Sequence, residues 1–471
     1  MERIKFGTDG WRAVIAQEFT VENVIRVTNA VATWLLKKNQ NPSVVIGHDC
    51  RFGGKLFTET VAKVLASKGI KVFIAEGFVS TPMVSLGILH HQASMGVVIT
   101  ASHNPPEYNG YKLKGPFGGP LLEEDIRDIE HFISDGGMMD LDLINQENLV
   151  KQGWIEYVDL ETAYVDHLSA SFNVEAIRQS NLNFAFDAMY GSGQNVFKKI
   201  LPDMPSLHCE LNPTFKGIPP EPLAKNLKEF SAFLKEAKNI DAGLAVDGDA
   251  DRIAMLNEIG EYVDSHHIIL LLIHTLVKYK NMSGLVVTGF SSTVKVETLA
   301  AHYGLDVVRV KIGFKDICKV MLKENVLVGG EESGGIAVGS HIPERDGIWM
   351  GMILFQMMVE TGKTLSQLID EVYEITGKFA FKRQDIHLTK EKRNRIAENC
   401  RKGKYSSFGD YKVERVEDLD GFKYYFNDHE WYMIRPSGTE PVLRTYAESS
   451  TPERAAAILE AGYNTIMGEL N

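Results

Sequence analysis

Four short stretches bring together residue types able to move a phosphoryl group. In Thr100–Lys112, TASHNPPEYNGYK, a hydroxyl (Ser102) stands beside an imidazole (His103), an amide (Asn104) and, further on, an amine (Lys112). A serine so placed can attack a phosphoryl group or carry one. Pro105 and Pro106 end regular hydrogen bonding after it and stiffen the loop. In Asp247–Arg252, DGDADR, carboxylates alternate at Asp247, Asp249 and Asp251. In a turning loop they can converge on one hard cation, and oxygen ligands suit magnesium. Three close carboxylates repel one another unless a metal or Arg252 offsets them. The distal glutamate of an EF-hand is missing.

Gly329–Gly335, GGEESGG, sets Glu331, Glu332 and Ser333 among glycines. Such acceptors suit adjacent sugar hydroxyls, and glycine lets backbone come close. His341, Glu344, Arg345 and Asp346 follow. Arg435–Pro441, RPSGTEP, with Arg444 beyond, combines guanidinium forks, two hydroxyls and a glycine turn. That composition makes a phosphate cradle. It lacks P-loop spacing, so ATP binding is not read from it. Each stretch alone also reads as a plain polar turn.

The rest of the chain bounds the possibilities. At 471 residues it is long enough for about three or four domains. With 44% hydrophobic and 24% charged residues it has an ordinary globular composition. Cys50, Cys209, Cys318 and Cys400 are scattered, which argues against a disulfide framework or a thiolate metal site. The start, MERIKFGTDGWR, has no apolar signal core, and no segment is long enough to span a membrane. A cytoplasmic protein is expected. The formal charge of −12 argues against a nucleic-acid partner.

Strand and helix signals alternate. Phe6–Arg12 reads as a glycine-punctuated turn that aims Arg12. Thr20 caps a helix bearing Val21, Val24, Ile25, Val31 and Leu35 on one face. Strands are expected at Val44–Ile46, Lys71–Ala75 and Met95–Ile99, with His48, Asp49 and Arg51 at the end of the first. Helices are expected near Lys55–Lys68 and after Ser80. The grammar recurs at Asn183–Asp187 and Ala242–Val246, then at Leu285–Thr288, Asp306–Val310 and Val326–Val328. It predicts mostly parallel sheets covered on both faces. The last segment places strands near Ala380–Leu388, Lys423–Phe426, Trp431–Ile434 and Val442–Ala447. Helices are expected at Lys390–Lys402 and Thr451–Leu470, an α+β pattern. The expected units are 1–152, 153–258, 259–376 and 377–471.

TASHNP, DGDADR, GEESGG and RPSGTEP occur in this order at these separations. The combination resembles the α-D-phosphohexomutase superfamily over essentially the whole chain. The resemblance implies three similar doubly wound α/β domains and a C-terminal α+β domain around a central cleft. It implies that Ser102 carries the phosphoryl group as phosphoserine. Ser102, Asp247, Asp249 and Asp251 match the magnesium ligands. Glu331 and Ser333 match sugar contacts, joined by Lys315 and Arg345. Arg435, Ser437, Gly438 and Thr439, with Arg444, match the loop for the non-reacting phosphate. Arg12, His103, Lys112 and Arg252 match cleft residues that handle charge or protons. Lys112 is a proton shuttle if a nearby cation lowers its pKa.

The implied reaction isomerises hexose 1-phosphate and hexose 6-phosphate, with glucose 1,6-bisphosphate as intermediate and activator. GEESGG followed by HIPERDG, with the Gly313-Phe314-Lys315 turn, resembles glucose-type members. Members acting on both glucose and mannose phosphates often carry His where this chain has Gly335, and His341 is a candidate substitute. Phosphoglucosamine mutases usually carry Gln in place of Glu332. Glucose phosphate is favoured, with mannose phosphate next. A sugar-phosphate-binding protein without catalysis and a phosphoserine-dependent hydrolase are the competing classes. The intact Ser102 and aspartate set count against the first, and the Arg435 cradle against the second. The expected assembly is a monomer or homodimer.

Overall fold

The computed structural model describes residues 4–134, 139–436 and 442–469. Three sheets share one plan. The first runs, in spatial order, Trp11–Val14, Tyr108–Lys114, Met95–Ile99, Ser43–His48, Lys71–Ala75 and Ile155–Val158. The second runs Tyr262–Val263, Ile253–Leu256, Ala242–Val246, Phe184–Asp187 and Ser206–Leu207. The third runs Val307–Val310, Leu285–Gly289, Val326–Gly330 and Ile336–Val338.

In each sheet a parallel strand turns back into an antiparallel partner. Met95–Ile99 returns as Tyr108–Lys114, Ala242–Val246 as Ile253–Leu256, and Val326–Gly330 as Ile336–Val338. The Ser102, Asp247 and Glu331 motifs are the connections of these three equivalent hairpins. A repeat that is faint in residues is therefore plain in topology. These parallel strands are buried on both faces, which accounts for their continuous apolar runs.

Helix ends follow the side chains available. Thr20 Oγ1 accepts from Asn23 N and opens Val21–Lys38, and Ser80 Oγ accepts from Met83 N and opens Thr81–His90. One apolar cluster runs through all three units, including Val45 and Ile88, Leu160 and Leu244, and Val286 and Leu354.

The fourth sheet is wholly antiparallel: Ala380–His387, Val442–Ser449, Glu430–Pro436, Phe422–Asn427 and Arg415–Glu417. Helices Lys390–Arg401 and Pro452–Gly468 cover it with Ile396, Ile458 and Ile466. It meets the third unit through Phe290, Tyr425, Trp431, Met433 and Tyr446. The architecture is three α/β units and a C-terminal α+β unit. No helix among the described residues is long and apolar enough to cross a membrane.

The structure departs from expectation at several points. Trp11–Val14 and Tyr108–Lys114, read as turn and loop, are neighbouring strands paired Trp11 to Tyr111. Ile155–Val158 pairs with Lys71–Ala75, so the first sheet runs past the boundary expected after residue 152. Tyr262–Val263 pairs with Ile253–Leu256, so the second runs past residue 258. Edge strands of two to four residues beside polar turns leave little periodic signal, and the interior strand Tyr108–Lys114 is masked by its polar residues.

Candidate active site

Ser102 sits just beyond the end of Met95–Ile99 and is buried, not exposed as its loop position suggests. Its φ of 52° is left-handed, a strained conformation for a residue with a side chain. Its Oγ donates to Asp247 Oδ2 at 2.6 Å, and His103 Nδ1 lies 3.3 Å away. Burial and the surrounding cations, Arg252 first, hold the His103 imidazole well below its usual pKa.

Asp247, Asp249 and Asp251 are completely buried, and one oxygen of each lies within 4.8 Å of the others. The loop turns tightly because Asp247 Oδ1 accepts from the backbone N–H groups of Asp251 and Arg252. Gly248 is required: a Cβ there would lie 2.5 Å from the Ser102 carbonyl oxygen. Burial and the neighbouring Asp249 and Asp251 carboxylates push Asp247 well above the usual carboxylate range. Burial also opposes ionisation of Asp249, but Lys112 and hydrogen bonds from Lys112 and Thr81 outweigh it and hold that group down. Asp249 Oδ1 and Asp251 Oδ1 are buried and accept no hydrogen bond. An all-oxygen set with two free lone-pair edges fits a hard divalent cation.

Lys112 lies on Tyr108–Lys114, opposite Val98. Its ammonium meets Asp249 Oδ2 at 2.7 Å, Asp251 Oδ2 at 2.8 Å and Asp9 Oδ2 at 2.8 Å. Burial works against its charge, but these three carboxylates prevail and raise its pKa. Arg345, which shares Asp9 and Asp251 with it, acts the other way but is outweighed, so these protein groups alone do not supply the lowered pKa that a proton shuttle needs.

Arg345, expected to touch substrate, is clamped by protein: Nη2 lies 2.6 Å from both Asp9 Oδ2 and Asp251 Oδ2. It also explains Gly335, where a Cβ would lie 2.4 Å from Arg345 Cδ. The space a histidine would occupy there is filled. His341 does not replace it, since its ring stacks on Trp349 at 3.6 Å and its Nε2 pairs with Asp346 at 3.0 Å.

Arg12 reaches Asn104 Oδ1 at 2.7 Å, and Arg252 reaches Glu221 at 3.2 Å. Glu331 is buried and its pKa is raised to about 7 by burial, although Arg345 opposes the shift. Ser333 is half-buried on the same turn, and Lys315 donates to the Gly7 carbonyl at 3.0 Å. Arg435 and Arg444 stand directly opposite each other on adjacent strands. Like charges so paired are unfavourable unless an anion or acid intervenes. Asp420 lies 3.1 Å from Arg435, and Asp385 lies 3.9 Å from Arg444. Ser437, Gly438 and Thr439 lie outside the described residues.

Sequence gives no role to Asp9, Thr81 and Lys114, and marks Glu344 only as a polar neighbour. Asp9 gathers Arg12, Lys112 and Arg345. Thr81 donates to Asp249 at 2.5 Å, and the buried pair Lys114–Glu344, at 2.5 Å, ties the first unit to the third. The only sequence signal was polarity: TDG before Arg12, ST before a helix, and ER in HIPERDG.

Family models describing phosphoglucomutase/phosphomannomutase match four consecutive stretches. They are alpha/beta/alpha domain I at residues 3–138, domain II at 162–260, domain III at 264–375 and the C-terminal domain at 389–463. A phosphoglucomutase/phosphomannomutase of Thermococcus kodakarensis is 30% identical over 467 residues, 97% of each chain. A Methanosphaera stadtmanae chain assigned as a phosphoglucosamine mutase is 29% identical, over 96% of each. A crystal structure from Thermus thermophilus, of a chain assigned as a phosphomannomutase, superimposes with a TM-score of 0.86 at 31% identity over 99% of both chains. With four ordered motif loops, four matched domains and relatives aligned end to end, this chain belongs to the α-D-phosphohexomutase superfamily, in the phosphoglucomutase/phosphomannomutase family.

Proposed function

We propose that the chain interconverts glucose 1-phosphate and glucose 6-phosphate through phosphoserine at Ser102 and a glucose 1,6-bisphosphate intermediate. The observation that carries this reading is the buried contact of Ser102 Oγ with Asp247, beside two carboxylate oxygens that accept no hydrogen bond. Ser102 Oγ, Asp247, Asp249 and Asp251 would hold magnesium. A bound ion would offset the charge that develops on the transferring phosphoryl group.

This chain's residues supply the rest. The phosphorus leaves Ser102 Oγ for the free sugar hydroxyl: the Oγ–P bond breaks as the new P–O bond forms, the hydroxyl gives up its proton, and Ser102 Oγ takes one up, so no proton is gained or lost overall. The bisphosphate turns over, and its other phosphate returns to Oγ. His103 is the ring nearest that oxygen. Lys112, held as an ammonium by three acids, is a fixed positive charge beside the transfer. Arg12 and Arg252 line the same cleft. Glu331 and Ser333 take sugar hydroxyls, with Lys315 at the rim. Arg435, Arg444 and the Ser437–Gly438–Thr439 loop take the phosphate that is not reacting. Arg345 acts by holding Asp251 and Asp9 rather than by touching sugar. Domain closure excludes water.

An amino-sugar substrate is the second reading, favoured by the assignment of the Methanosphaera relative. Glucose 1-phosphate, mannose 1-phosphate and glucosamine 1-phosphate, offered separately with magnesium and a trace of glucose 1,6-bisphosphate, decide between them. The expected result is the highest kcat/KM for glucose 1-phosphate, and loss of turnover on chelation that magnesium restores. A preference for glucosamine 1-phosphate replaces the first reading with the second. Phosphate release without isomerisation contradicts both.

A further inference from the structure

The loop after Ser43–His48 carries Asp49 and Arg51, which the reaction as described does not use. Both side chains are fully buried. The guanidinium is spent on main-chain carbonyls around the reactive serine. Nη2 donates to the carbonyls of Ser102 and Asn104, each at 2.6 Å. Nη1 donates to those of Pro105 at 2.8 Å and Tyr108 at 3.1 Å. The fifth donor, Nε, faces Asp49 Oδ2 at 3.2 Å. Nη1 and Nη2 thus make four hydrogen bonds to carbonyls, while Nε makes only the ion-pair contact, an arrangement no lysine could reproduce.

A second path reaches the same serine. Asp49 Oδ1 accepts from the Arg51 backbone N–H at 2.9 Å, and Asp49 Oδ2 accepts from Thr100 Oγ1 at 2.5 Å. Thr100 Oγ1 in turn accepts from Ser102 N at 2.9 Å. Ser102 is therefore gripped at its amide and at its carbonyl, on either side of its left-handed φ. From the second unit, Phe215 closes the far face of the guanidinium, its ring centre 5.0 Å from Cζ.

We propose that Asp49 and Arg51 form a positioning pair that fixes the pose of the phosphoryl-carrying serine and turns four carbonyl oxygens toward a buried cation and away from the phosphoryl group. A dianionic phosphoryl group is repelled by carbonyl oxygens, so a loop free to turn them inward would disfavour phosphoserine as well as misplace it. The inference rests on Ser102 being the phosphoryl carrier.

The test is the rate at which glucose 1,6-bisphosphate charges Ser102, followed by intact mass, alongside kcat, KM and the melting curve. For Arg51→Met the expected result is a charging rate and kcat lower by about 100-fold, the cost of displacing a reacting group by roughly 1 Å. KM for glucose 1-phosphate stays within about threefold, because the sugar contacts are elsewhere. Arg51→Lys keeps the charge but not the fork, and recovers activity to about one tenth of wild type. Should Arg51→Met fail to fold, Thr100→Val decides: it removes only the hydroxyl link, and is expected to slow charging about tenfold at unchanged KM. A folded Arg51→Met, or failing that a Thr100→Val, that charges as fast as wild type overturns the pair alone. Wild type that turns over without phosphoserine overturns the carrier reading, and the pair with it.

Discussion

At Lys112 a buried ammonium meets three carboxylates at 2.7–2.8 Å; at Lys423, equally buried, it meets none within ion-pair distance among the described residues. Lys423 Nζ instead lies 3.7 Å from the centre of the Trp431 ring and near the carbonyls of Ser292 at 3.2 Å and Phe290 at 3.4 Å. Burial and Arg309 push its pKa well down. The acid that most opposes this, Glu448, is itself pushed up to about 7 by burial, although Lys423 opposes that. The first region joins the serine and aspartate hairpins with charges that must stay paired. The second joins the third and fourth units with groups close to losing their charge. A joint of the second kind separates without stranding a strong ion pair, while one of the first kind does not. The ion pairs that fix geometry for chemistry thus lie between the first three units, while the joint to the fourth is made of apolar contacts and weakly charged groups.

The largest effect that sharpens this contrast is at Ser102. Ser102→Ala is expected to lower kcat by at least about 1,000-fold. The melting temperature should move by only a few degrees, because one hydrogen bond to Asp247 is lost and no cavity larger than an oxygen is left. Unimpaired turnover would break the assignment of this region to chemistry.

Next come two lysines compared by melting temperature. Lys114→Met leaves buried Glu344 with only the longer Arg345 contact at 3.6 Å and should cost about 3 kcal/mol. Lys423→Met keeps volume and removes a cation that is already disfavoured, so it should cost under about 1.5 kcal/mol. Equal costs would erase the distinction between the two joints.

The smallest effect is in pH. Glu448 titrates at about 7 in the folded chain against an ordinary value of 4.5, so the folded state prefers it protonated. Its contribution is complete below about pH 4.5 and is lost as pH rises through 7. That loss is on the order of 1–3 kcal/mol. Glu448→Gln should show a shallower fall in melting temperature between those limits than wild type. Identical slopes would mean that Glu448 is not protonated at the joint.

Much of this was legible in sequence because it is local. Runs such as Met95–Ile99 and Ala242–Val246 are strands as read, and Thr20 caps its helix. The Asp247, Asp249 and Asp251 cluster follows from alternation along one turning loop. What was not legible depends on distant partners. Tyr108–Lys114 is a polar strand, buried because Lys112 and Lys114 find acids far along the chain in other units. Arg345 reads as a ligand for substrate until Asp9 and Asp251 are seen to hold it. Asp9 and Arg51 are ordinary loop residues until the fold brings the first to Lys112 and the second to the Ser102 carbonyl.

The most direct measurement follows the phosphoryl group itself. Purified protein is charged with glucose 1,6-bisphosphate and magnesium, the phosphorylated peptide is mapped, and glucose 1-phosphate is then added in a rapid-quench experiment. The expected result is one phosphoryl group, on Ser102, that leaves at a rate equal to or above kcat as glucose 6-phosphate accumulates. Steady turnover with Ser102 unmodified, or with phosphate on another residue, would contradict a phosphoserine mutase built on this hairpin.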